Sequence, residues 1–108
     1  MLNSYNLAVN ITAIKHIDSN EFRIKVAESL SHLDHLKRAI DNSPLLYYFY
    51  PVIDDDGNEK QSVLAIVHIS VGKKRGQALL ELYQSMVRLI KFELPNFDVS
   101  YNIELDKP

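Results

Sequence analysis

Two stretches of strict alternation frame this chain. Tyr5, Leu7, Val9, Ile11 and Ala13 alternate with Asn6, Ala8, Asn10 and Thr12, and Phe97, Val99, Tyr101, Ile103 and Leu105 alternate with Asp98, Ser100, Asn102, Glu104 and Asp106. Successive side chains on a strand point to opposite faces, so each stretch reads as a strand with one buried and one solvated face. The first and last regular elements are therefore strands.

Between them the period changes twice. Asp18 followed by Glu21 three residues on reads as a capping box, after which Phe22, Val26, Leu30, Leu33 and Leu36 recur at helical spacing. This predicts a helix from about Ser19 to about Ile40, stopped by Asn42, Ser43 and Pro44 because proline disfavours the helical conformation before it. Leu45–Ile53 is aromatic and β-branched, and Pro51 inside it marks an edge strand or a bulge. Asp54, Asp55, Asp56, Gly57 and Asn58 then form a turn that leads into a hairpin. Ser62–Val71 is apolar at nearly every position, which predicts a central strand covered on both faces. After Gly72 and the cluster Lys73, Lys74, Arg75, Gly76, the residues Leu79, Leu80, Tyr83, Met86, Val87, Ile90 and Leu94 mark an amphipathic helix of about five turns, stopped by Pro95.

The order is βαββαβ and the class α+β. At 108 residues the chain fits one domain, 1–108, with one core. Two architectures share the order. In a ferredoxin-like sandwich the first and third strands lie side by side; in the other arrangement each β-α-β unit pairs its own two strands in parallel. Period does not choose between them.

Composition removes several classes of function. With 46% hydrophobic and 24% charged residues, 3 Gly and 4 Pro, this is an ordinary globular chain. A formal net charge of -2 provides no general pull on phosphate backbones, so no nucleic-acid partner is expected. No apolar run reaches the roughly 20 residues needed to cross a bilayer, and Met1–Asn10 lacks the pattern of a signal peptide, so the expectation is a cytoplasmic protein with no membrane partner. The absence of Cys excludes disulfides, thiol nucleophiles and thiolate metal sites.

The second half carries a family resemblance. Ala65-Ile66-Val67-His68-Ile69-Ser70-Val71-Gly72-Lys73, a long Leu-rich helix and then Val99-Ser100-Tyr101-Asn102-Ile103 resemble the strand, helix and strand of the tautomerase superfamily, closest to 5-carboxymethyl-2-hydroxymuconate isomerases and macrophage migration inhibitory factor. The resemblance implies a tautomerase-like protomer, a homotrimer with pockets between subunits, and a small unsaturated carboxylate as ligand. It also implies keto-enol chemistry by an N-terminal proline. Position 2 here is Leu2, so the expected outcome is lost or altered tautomerase activity on an isomerase scaffold. A large side chain at position 2 should leave Met1 in place, and its primary amine, with an ordinary pKa of about 7.7 to 8.0, is a candidate base only where the fold buries it favourably; no catalytic residue is assigned, and Met1, His68 and Asn102 are the candidates. Of the pocket positions, Asn102 matches the last-strand Asn, while Ser100 replaces the Tyr two residues before it.

The remaining candidates each have a plainer account. Lys73, Lys74 and Arg75 precede a helix, whose N-terminus favours anions, and would bind a carboxylate or phosphate; a charge run there is equally a solvated loop. His68 would relay a proton or be held by one hydrogen bond on its strand. His32 and His35 share a helix face but lack a third ligand, so no metal and no cofactor is expected. Asp54–Asp56 lack the spacing of a calcium loop. Tyr47, Tyr48, Phe49 and Tyr50 place aromatics on both faces of an edge strand, as an intersubunit contact or a platform for a planar ligand. The alternative to the tautomerase reading is a non-enzymatic ferredoxin-like binding module, dimeric, whose sheet or aromatic edge makes protein-protein contacts.

Overall fold

The computed structural model describes residues 2–106, and the side chains of all of these but 2, 3, 71, 73, 74 and 106. Six elements follow in the order β1 (Leu2–Ala13), α1 (Ser19–Asp41), β2 (Leu46–Ile53), β3 (Glu59–Gly72), α2 (Lys73–Glu93) and β4 (Phe97–Asp106). The strands make one four-stranded sheet in the order β2-β3-β1-β4. The molecule's longest extent, 47 Å, is about what the 14 residues of β3 span at roughly 3.3 Å each.

Strand β1 lies between β3 and β4 and is antiparallel to both: Leu7 stands opposite Val67 on one side and Ile103 on the other. This is the ferredoxin-like arrangement. The parallel pairing of each unit's own strands, implied by the tautomerase resemblance, does not form, because β3 separates β1 from β2 and β1 separates β3 from β4. The hydrophobic period fixes which face a residue takes and says nothing about which strand lies beside it, so both arrangements satisfy the same pattern.

Both helices sit on one side of the sheet. Odd-numbered residues of β1 and β3 (Leu7, Val9, Ile11, Val63, Ala65, Val67) are fully buried beneath them, against Phe22, Val26 and Leu33 of α1 and Tyr83, Val87 and Ile90 of α2. Phe22 is the pivot of this layer, stacked on Phe97 at 5.5 Å and edge-on to Phe49 at 6.0 Å. Arg23 places its guanidinium 4.3 Å over the Phe49 ring.

Local chemistry sets the element ends. Asp18 caps α1 by accepting from the N-H groups of Asn20 and Glu21, at 3.1 and 3.3 Å. At the other end Asn42 takes the left-handed conformation, φ 57°, and its N-H returns to the Arg38 carbonyl. The aspartate run is the turn its sequence predicts: the Gly57 N-H bonds the Asp54 carbonyl, Asp54 Oδ1 accepts from Asp56 and Asn58, and Gly57 takes φ 79°.

Two expectations are corrected. Strand β3 is covered on one face only: Leu64 and Ile66 are half-buried and His68 and Ser70 exposed, because both helices took the opposite side. The basic cluster is the first turn of α2 and not a loop before it; Lys and Arg are good helix formers, and Gly72 serves as the N-cap without a side-chain bond.

Candidate interaction face of the sheet

The registers of the three ladders lay out the open face as rows. Tyr50, Ser62, Thr12 and Asp98 form one row; Tyr48, Leu64, Asn10 and Ser100 the next. Leu46, Ile66, Ala8 and Asn102 follow, and then His68, Asn6 and Glu104. Polarity divides this face along its length. On the β2 and β3 side the two middle rows present Leu46, Tyr48, Leu64 and Ile66, with Leu46 61% and Tyr48 52% exposed. On the β1 and β4 side, Ala8 apart, the same rows present Asn10, Asn102 and Ser100. Formal charges stand at the margins, on Lys60, Asp98 and Glu104.

A hydrogen-bond network stiffens one end of the face. The Asn10 amide donates to the Tyr50 hydroxyl, while its oxygen accepts from Thr12 at 2.9 Å and Ser62 at 3.1 Å. Thr12 and Ser62 hydroxyls are 2.8 Å apart, and Ser62, fully buried, also reaches the Ile11 carbonyl at 3.2 Å. Three strands are thus tied together by side chains on the side away from the helices, which holds the neighbouring apolar rows in place.

The sequence's candidate residues do not converge. His68 is exposed on the open face, with Nδ1 2.8 Å from the Asn6 Oδ1, so one hydrogen bond does hold it. Asn102 is exposed on β4 in the next row, across β1. Strand spacing puts their backbones about 12 Å apart, too far to act together on one atom. Arg75 is exposed in the first turn of α2, outside the strand ladders. Met1 and the side chains of Lys73 and Lys74 lie outside the described residues.

His32 faces the other helix, with Nε2 3.3 Å from Glu93 Oε1, and Ser29 donates to Glu93 Oε2 at 2.9 Å. The pair of histidines is thereby divided, since His35 is exposed. Among the described residues no group of three or more His, Asp or Glu stands close enough to hold a metal. The aromatic run splits as an edge strand should: Tyr47 and Phe49 turn to the helix side, 5.9 Å apart, and Tyr48 and Tyr50 to the open side.

Sequence reasoning missed a buried cation. Lys37 is 7% exposed, with Nζ 2.7 Å from both Asp41 Oδ2 and Ser43 Oγ. Burial pushes the Asp41 carboxyl up, but the bonds from Lys37 and Ser43 outweigh it and hold the group below its ordinary value. Asp34 is also held low, first by the Leu45 N-H at 2.9 Å and then by Arg38 at 2.9 Å. Burial pushes the Tyr83 phenol up to about 12, with the Asp41 charge adding to it. The Asp34 bond ties α1 to the residue before β2, while Lys37, Asp41 and Ser43 close the helix end on one another. A cleft of about 380 Å³ at the opposite end, lined by Ile14, His16, Ile17, Lys25, Pro95 and Phe97, contains none of the sequence's candidates.

No family model matches the chain, and no curated protein matches it. Solved structures do. A de novo designed protein, Foldit4, shares 14% identity over 96% of this chain and 99% of its own, with a TM-score of 0.52. A protein from methicillin-resistant Staphylococcus aureus, provisionally assigned as an aminohydrolase, shares 8% identity over 98% of this chain, with a TM-score of 0.54. This chain spans only 29% of that larger protein's length. A dimeric ferredoxin-like protein from an uncultured marine organism aligns over 98% of this chain and 97% of its own at 9% identity and a TM-score of 0.48. At such identities the first two likenesses are of fold alone, and the fold they share is the α+β sandwich with a four-stranded antiparallel sheet described above.

Proposed function

We propose that this chain is a non-enzymatic binding module that works through protein-protein contact on the open face of its sheet. The observation that carries this is the block Leu46, Tyr48, Leu64 and Ile66, left uncovered on a sheet whose other face is packed by two helices. A solvated sheet face ordinarily alternates to polar residues. Here β1 and β4 do so, whereas β2 and the middle of β3 present Leu46, Tyr48, Leu64 and Ile66 there. Contiguous apolar surface with aromatic residues and charges confined to its margin is the composition of a contact surface.

A catalytic reading has less to stand on. His68 and Asn102 are exposed and separated by a strand, and the terminal amine that would replace the missing proline belongs to Met1. The strand order lends no support to a tautomerase-like trimer.

A photoreactive amino acid in place of Tyr48, in cells that produce the protein, tests the proposal. Covalent protein adducts are expected from this position and not from the same probe in place of Phe92, which is 83% exposed on the far side of α2. Equal labelling from both positions, or none from position 48, would defeat it. Turnover of phenylenolpyruvate at the rate of a proline-bearing tautomerase would replace it with the enzymatic alternative.

A further inference from the structure

The open face has the size and the distribution of chemistry to be covered by a second copy of itself. Strands about 4.8 Å apart, four abreast, and about nine residues deep at 3.3 Å each enclose roughly 600 Å² before side-chain relief is counted. Relief brings this toward the roughly 800 Å² per partner of a stable protein interface, and sheets of this size pack face to face about 10 Å apart.

Symmetry narrows the occupant. A twofold axis lying between two such sheets, across the strands and between the Tyr48 and Leu46 rows, puts β2 and β3 of one copy over β2 and β3 of the other. Leu64 then meets the partner's Ile66 row, and Tyr48 meets the partner's Leu46 row, apolar on apolar. By the same operation Ser100 meets the partner's Asn102, polar on polar, while Asn10 meets the partner's Ala8. An axis along the strands through the middle of the sheet would instead lay Leu46 and Tyr48 on the polar β4. Of the two twofolds that overlay the whole face, the one across the strands therefore matches the apolar rows to themselves, as an interface between identical copies requires.

The edge of β2 is the weaker rival. Pro51 has no N-H, so a strand added there would find one donor fewer along this aromatic edge.

We propose that two copies of this chain form a homodimer by packing the open faces of their sheets together around the block Leu46, Tyr48, Leu64 and Ile66, an inference that rests on the interaction reading above. Closure of the apolar rows against each other leaves Lys60, Asp98 and Glu104 at the rim, in water, where Asp98 comes opposite the partner's Glu104 and solvent and salt screen the like charges. The two-sided apolar pattern in the middle of β3 is then explained: Val63, Ala65 and Val67 are buried within the chain, and Leu64 and Ile66 between chains.

Sedimentation equilibrium of the full chain at about 50 µM, above the micromolar constants that the weaker interfaces of this size show, is expected to return twice the 12.4 kDa of one chain. Ile66→Glu should weaken association at least about 30-fold and sediment as monomer. Tyr48→Glu, at a 52% exposed edge position where the monomer fold loses little, should do the same with an unchanged circular-dichroism spectrum. Phe92→Glu should stay dimeric. A monomeric wild type, a trimer, or a dimer that survives both open-face substitutions would overturn the proposal. If the wild type is monomeric while the probe at position 48 still captures a different protein, the interaction reading stands and only the homodimer fails; if neither occurs, both fail.

Discussion

The two faces of this sheet are made by the same four strands, yet one is dry and the other open. On the helix side Leu7, Val9, Ile11, Val63, Ala65 and Val67 are fully buried; on the other side their immediate neighbours Ala8, Leu64 and Ile66 are only half-buried. The outer strands sharpen the contrast, because β4 turns Asp98, Ser100, Asn102 and Glu104 outward while β2 turns out Leu46, Tyr48 and Tyr50. Alternation is thus kept where water is the neighbour and dropped along one half of the sheet. A strand stretch apolar on both sides in a two-layer protein points to a third layer, the place that the proposed contact would fill.

Energetics should separate the faces by an order of magnitude. The largest effect belongs to the covered side: Phe22→Ala, which empties the site between Phe49 and Phe97, is expected to cost about 3 to 5 kcal/mol in urea unfolding. Next comes the fastening of that helical cover to the sheet. Asp34→Asn weakens the charged bonds to the Leu45 N-H and Arg38, at an expected cost of about 1 to 2 kcal/mol at pH 7. Because the Asp34 carboxyl titrates below its ordinary 3.8 when folded, the unfolded chain binds the proton first. Its contribution is therefore present above about pH 4 and lost as the pH falls through the folded value. The difference in stability between wild type and Asp34→Asn should accordingly shrink between pH 5 and pH 2; a constant difference would show that the carboxylate is not the fastening. Asp18→Ala, removing the cap of α1, should cost about 1 kcal/mol and lower the melting temperature by several degrees. Smallest of all, Tyr48→Ser measured in dilute monomer should change stability by less than about 0.5 kcal/mol. A loss near that of Phe22→Ala would mean that the open face belongs to the chain's own core.

Much of this architecture can be read from spacing, for physical reasons that differ by element. The first helix is expected at Ser19–Ile40 and found at Ser19–Asp41, since Asp18 and the Asn42-Ser43-Pro44 stop are local signals that act within one turn. The last strand is found where alternation places it. Neighbour relations are a different matter: period assigns a face, while choosing β3 over β2 as the partner of β1 depends on crossovers that span dozens of residues. The apolar run of β3 predicts cover on both faces, and only the position of α1 and α2 on one side turns Leu64 and Ile66 into surface. Lys37 was illegible for a similar reason. Nothing in its neighbours announces a buried ammonium, which depends on Asp41 and Ser43 folding back over it at the helix end. The aromatic edge was legible as an edge because Pro51 gives it away; which of its faces stays open was not.

The central place of β1 sets a timetable for folding. Its ladder to β4 pairs Ser4 with Asp106, so of these four strands the first in chain order waits for the last before both its sides are satisfied. The hairpin of β2 and β3 needs only a short turn and is free to form early, which makes it the natural seed, while closure by β4 is the high-contact-order step. During that wait a half-built sheet exposes the long unpaired side of β1 in addition to the apolar rows of β2 and β3. This nascent intermediate is the species most exposed to aggregation.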